Sequence, residues 1–166
     1  MINPKIPAII VTDEAFVTPF AIASFAVMSM LFNEVPTKGP IVTLADRSTD
    51  YQVVVAIGVT GGLRGHVVFG MSTETALGVT SAMVGAPADS FDELAKSAIG
   101  ELANMICGNG LLQLTDQVGT CDITPPALMS GLGSDVSTIS VLPTIIPLTL
   151  SFGGIDLIIG LAAKES

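Results

Sequence analysis

The stretch Tyr51–Met71, YQVVVAIGVTGGLRGHVVFGM, carries five glycines among β-branched residues, and its reading decides the fold. A glycine-rich run of this kind invites a phosphate-binding loop. Both nucleotide fingerprints require a helix N-terminus directly after the glycines, to place its N–H groups and dipole on the phosphates. Here the following residues, RGHVVFGM, alternate as a strand, and no Gly-Lys-Ser/Thr occurs. The glycines at Thr60-Gly61-Gly62 therefore mark the turn of a β-hairpin, which predicts an antiparallel sheet.

Outward from the hairpin, helices and short strands follow in an order that predicts an α+β fold, mostly antiparallel sheet with long helices packed on it. Upstream, IVTLAD from Ile41 reads as a strand, and a helix capped by Thr12 or Asp13 runs to about Asn33, apolar nearly all round. Downstream, Ser72 to about Val84 reads as a second helix closed by Gly85 and Pro87. Ser90 followed by Glu93 gives a capping-box signature for a third helix starting near Phe91. Short strands are expected at Cys121–Thr124 and Thr138–Leu142, then at Ile145–Ser151 and Ile155–Leu161, joined at Gly153-Gly154. No composition break divides the chain, so residues 1–166 read as one domain.

Composition narrows the partners. Six Lys+Arg against fifteen Asp+Glu give a formal charge of −9, which disfavours nucleic acid and anionic membrane surfaces and favours a partner presenting lysine or arginine. With 49% hydrophobic residues in 166, some apolar surface is expected to be covered by a second copy, so a homo-oligomer is predicted. Ala15–Asn33 lacks charge and approaches the length of a bilayer span. Pro19, the hydroxyls of Thr18, Ser24 and Ser29, and the absence of flanking basic clusters favour a buried helix instead. Cys107 and Cys121, with no C-x-x-C pair, read as reduced core cysteines of a cytoplasmic protein, and His66, the single histidine, supports neither a metal site nor a triad.

The third helix carries the informative pattern. At about 100° per residue, Ser97, Glu101, Asn104 and Gly108 fall in one narrow stripe with Gly100 beside it, opposite an arc of Leu94, Ala98, Ile99, Leu102, Met105 and Ile106. A solvated helix face normally carries Lys/Glu pairs. This one offers a carboxylate and a carboxamide flanked by residues with almost no side chain. A glycine inside a helix costs about 1 kcal/mol relative to alanine, which needs a reason. Close approach of another chain is one. The alternative is that Gly108 and Gly110 end or bend the helix, that Gly100 packs on a neighbouring element, and that Glu101 and Asn104 simply face water.

At Ser97-x3-Glu101-x2-Asn104, with Pro125 and Pro126 some twenty residues on, the chain resembles the CheC/CheX family of chemotaxis phosphatases. GELANMICG and the order of hairpin, helix, cap and C-terminal strands extend the likeness over most of the chain. A second Glu-x-x-Asn is absent, which is similar to the CheX branch with one site per chain, typically a homodimer joined through its sheet. The resemblance implies a CheC-like fold and hydrolysis of the aspartyl phosphate on a CheY-like response-regulator receiver. It implies that Asn104 orients the attacking water and Glu101 docks the partner's lysine, while Ser97, Gly100 and Gly108 let the helix lie close. No metal of its own and no covalent intermediate are implied, since the receiver supplies Mg²⁺. Two rivals remain: a non-catalytic binding module like the middle domains of flagellar switch proteins, and a membrane-associated protein using Ala15–Asn33. CGNG, Cys107–Gly110, departs from the family and is expected to shorten or kink the helix.

Overall fold

A computed structural model describes residues 10–43, 50–129 and 141–164. The hairpin is present as β4 (Val53–Gly61) and β5 (Leu63–Met71), antiparallel from Val53↔Met71 to Val59↔Gly65. At its tip the two strands part. The end of β4 pairs with β6 (Cys121–Ile123), and the start of β5 pairs with β10 (Gly153–Ala163). Gly61 meets this divergence at φ +107°, where any Cβ would also collide with the Thr120 carbonyl, so glycine is required.

Beyond β5 and β10 the sheet continues through β9 (Thr144–Leu150) to the short β2 (Thr37–Lys38), with β3 (Val42–Thr43) also on β9 and β7 (Ala127–Met129) on β4. The β9–β10 turn falls at Ser151-Phe152; Gly153, expected in that turn, already belongs to β10 and pairs with Leu150. All pairings in this sheet are antiparallel. The only parallel pair among the described residues joins β1 (Ile10–Val11) to β8 (Val141–Leu142). The α+β expectation therefore holds. Half of the expected IVTLAD strand, whose Val42–Thr43 forms β3, and most of Thr138–Leu142 lie outside the described residues.

Period-two alternation gives the sheet two faces. Val53, Val55, Ile57 and Val59 of β4, with Val67 and Phe69 of β5 and Leu157 and Ile159 of β10, join the helices in the main core. Val54, Val68, Ile145 and Ile158 make a smaller cluster on the opposite face, near the hydrogen bond from Tyr51 Oη to the buried Asp156 carboxylate.

Three helices cover the main face: α1 (Glu14–Phe32), α2 (Thr73–Val84) and α3 (Glu93–Val118). Asp13 caps α1, while Thr12 is a buried tie whose Oγ1 donates to the Ile159 carbonyl at 3.0 Å. Ser72 caps α2 and Gly85 closes it, as the sequence predicts. For α3 the cap is Asp92, whose carboxylate accepts from Ala95 N at 3.0 Å, and not Ser90. Either side chain can cap; the chain enters helical geometry two residues later than the capping-box signature suggests. The potentially spanning helix α1 packs Val17, Phe20, Ala23, Val27 and Met28 into the core, yet Ile22 and Met30 are exposed, so it is not buried all round.

CGNG does not end α3, which runs 26 residues through it. The two glycines there differ in cause. A Cβ on Gly110 would stand 2.5 Å from Cδ1 of Phe20, so its absence lets α1 lie against α3, whereas a Cβ on Gly108 would meet nothing within 4 Å. Alanine substitutions should accordingly have opposite signs in denaturant unfolding. Gly110→Ala is expected to destabilise by about 1–2 kcal/mol, the helix-propensity gain being outweighed by overpacking. Gly108→Ala is expected to stabilise by up to about 1 kcal/mol.

Candidate active site on helix α3

The core seam sets the rotation of α3. Ile99, Leu102, Ile106 and Leu114 are fully buried, which turns Ser97, Glu101 and Gly108 to solvent and leaves Asn104 half-buried at the edge of the ridge. Three of the expected stripe residues are thus exposed and the fourth is accessible. Gly100 differs: it is buried, with the space for its Cβ bounded by Pro126 at 3.5 Å, so it belongs beneath the ridge. Leu94, assigned by the wheel to the buried arc, is exposed. It sits only about 60° from Ser97, at the arc's margin, in the first turn of the helix.

A second wall comes from the sheet edge. β6 and β7 both pair with β4, but the register steps from Val59↔Ile123 to Ala56↔Ala127, so three residues, Thr124 to Pro126, oppose two. This is a β-bulge, a device that re-aims side chains at a sheet edge, and prolines are tolerated there because they need donate no ladder bond. Thr124 fixes it: its Oγ1 accepts from Gly58 N at 2.8 Å and its N–H donates to the Gly58 carbonyl at 2.9 Å. Pro126 is thereby held against Gly100, while Pro125 points to solvent.

Between the two walls runs an open groove of about 400 Å³, with Ser97, Gly100, Glu101 and Asn104 on the α3 side and Pro126 and Leu128 opposite. Glu93 and Lys96 close one end as an exposed pair at 3.1 Å, a contact of little energetic value. Sequence reasoning missed these last three. Glu93 extends the stripe by one i−4 step and was legible in principle; Leu128, in a three-residue strand, carried no signal.

Among the described residues the Glu101 carboxylate and the Asn104 carboxamide make no hydrogen bond or ion pair within the chain. Asn109, one turn on, shows the contrast by donating to the Met105 carbonyl at 2.7 Å. The carboxamide can donate and accept at once without bringing negative charge, and the carboxylate can pair with a cation. Among the described residues no three His, Cys, Asp or Glu side chains converge as metal ligands, and His66 is an exposed strand residue. Both cysteines are free thiols. Cys107, on the buried side of the same helix, has its pKa pushed up to about 12 by burial, opposite to what a thiolate nucleophile needs.

The family model for the chemotaxis phosphatase CheX matches residues 53–148, from the hairpin through α3 and the bulge into β9. The CheY-P phosphatase CheX of Thermotoga maritima is 39% identical over 108 residues, which is 64% of this chain and 70% of that protein. The structure of the CheX–CheY–BeF3–Mg²⁺ complex from Borrelia burgdorferi matches at TM-score 0.74 and 27% identity, covering 88% of this chain and 97% of that one. Chemotaxis protein CheX from Vibrio vulnificus matches at TM-score 0.78 and 21% identity, over 89% and 99% of the two chains, a likeness of fold.

The buried thiol gives a direct check on the geometry. In the native protein at pH 8, maleimide labelling is expected to leave Cys107 unmodified, whereas in urea it reacts. Because the fold favours the protonated thiol, its contribution to stability is intact below the ordinary value of 9.0 and is lost as pH rises from there toward 12.

Proposed function

Because the chain belongs to the chemotaxis phosphatase CheX family, we propose that it hydrolyses the aspartyl phosphate of a CheY-like receiver, with Asn104 and Glu101 as its working residues. The supporting observation is a carboxamide without an intramolecular partner, half-buried beside an open groove, one helical turn from an exposed carboxylate on a rigid helix. An acyl phosphate has a good leaving group, so what limits its hydrolysis is an oriented nucleophile.

Asn104 Oδ1 accepts a hydrogen bond from water and holds its oxygen in line behind the phosphorus. The water oxygen bonds to phosphorus as the bond to the aspartyl oxygen breaks; the electron pair leaves with the carboxylate, and inorganic phosphate departs. A carboxylate at position 104 would repel the phosphoryl oxygens, which is the physical reason for the amide. Glu101 pairs with the receiver's lysine and sets the helix in register. Ser97 and Gly108 keep the ridge low enough for the partner's backbone, and Gly100 lies beneath it, facing Pro126. Mg²⁺ is brought by the receiver, in keeping with the lack of a carboxylate cluster among the described residues, and nothing covalent forms on this protein.

The same reading places the protein in the cytoplasm as a homodimer, in keeping with its apolar composition. Sedimentation should give twice the chain mass.

Phosphate release from a phosphorylated receiver tests the reaction. The intact protein is expected to accelerate it, Asn104→Ala to lose about a hundredfold or more in kcat, and Glu101→Ala to act mainly through a raised KM. Unchanged turnover in Asn104→Ala would contradict the mechanism. Binding of flagellar components without any acceleration would favour the non-catalytic module.

A further inference from the structure

We propose that Leu94 and Leu112 of α3 form, with Leu128 across the groove, an apolar frame that seats the receiver around the polar stripe; this rests on the phosphatase reading above. All three are exposed, Leu94 by 55%, Leu112 by 73% and Leu128 by 37%. On the helical wheel Leu94 and Leu112 coincide, about 60° from Ser97 and about 20° from Glu101, so both look outward from the same face as the stripe. They are eighteen residues apart, or roughly 27 Å along the axis, with Glu101 and Asn104 between them. Leu128 bounds the other side of the groove.

The size of this frame says what covers it. A specific interface takes about 800 Å² from each partner, a patch roughly 30 Å across. A receiver that brings its aspartyl phosphate to Asn104 therefore extends far enough in both directions to cover both leucines. Leu94 also borders a pocket with Val84 and Pro87 at the end of α2, yet neither leucine belongs to the core, and a solvated helix would carry charge at such positions. The occupant assigned to the frame is the receiver face around its phosphorylation site, with apolar side chains roughly 10–15 Å to either side of the phosphoryl group along the α3 direction.

Sealing that perimeter has two consequences. Bulk water is kept from the centre, so the water held by Asn104 is the one that reacts. The pairing of Glu101 with a lysine also strengthens as the local dielectric falls. The frame acts on docking, so its signature belongs in KM.

The test is steady-state hydrolysis of a phosphorylated receiver by Leu94→Ser, Leu112→Ser and the double variant, with Leu→Met at each position as the conservative control. Both side chains are exposed, so thermal melts of the variants should match the unaltered protein. Each serine is expected to raise KM roughly tenfold with kcat within about twofold, and methionine to restore KM. Binding to a beryllofluoride-activated receiver should weaken in parallel. If the unaltered protein hydrolyses the phosphate and the serine variants keep its KM, the frame is wrong and the phosphatase reading stands. If serine leaves KM alone but splits an oligomer in sedimentation, the leucines belong to a self-interface, which also overturns the frame. If the unaltered protein gives no acceleration, both readings fall together.

Discussion

The burial of Ile99, Leu102, Ile106 and Leu114 in the core that α3 shares with α1, α2 and one face of the sheet is the constraint on which the rest depends. Each of these side chains loses nearly all contact with water, and together they leave α3 one rotation about its axis. That rotation determines which residues become the ridge. A helix held by its apolar side over more than five turns is also stiff, so Glu101 and Asn104 are presented at a fixed spacing without a loop to order on binding. Preorganisation of this kind lowers the entropic cost of binding any partner on this ridge.

The sheet contributes the opposing wall through an irregularity. One extra residue between β6 and β7 makes a bulge, and the reciprocal hydrogen bonds of Thr124 with Gly58 hold it in place. Pro126 then meets α3 at the one position in that turn with no side chain, Gly100. The groove is thus built where a helix and a distorted sheet edge approach each other closely. Two polar side chains without a partner among the described residues, Glu101 and Asn104, line its helical wall.

The glycines of α3 separate structural from intermolecular causes. Gly110 is explained within the chain, because the Phe20 ring occupies the place of its Cβ and lets α1 and α3 come together. Gly108 has no such neighbour among the described residues, so no packing contact there offsets its helix-propensity cost. Apolar side chains divide in a similar way: those of the seam lie in the core, whereas Leu94 and Leu112 are exposed.

Local pattern was enough for much of this. The strand-like residues after Gly62 excluded a nucleotide loop and established the hairpin, and the 3.6-residue period of Ser97, Glu101, Asn104 and Gly108 put them on one face, because both signals are properties of a few consecutive turns or residues. The extent of α3 was misjudged at both ends of its pattern: glycines that break an isolated helix are overridden where Phe20 and the sheet hold it, and Leu94 lay at the boundary of an arc whose width only packing decides. Tertiary structure alone set the strand order, the bulge and the meeting of Pro126 with Gly100. Those depend on hydrogen-bond register between segments more than sixty residues apart, and periodicity within either segment carries no record of how its ladder is aligned with the other's.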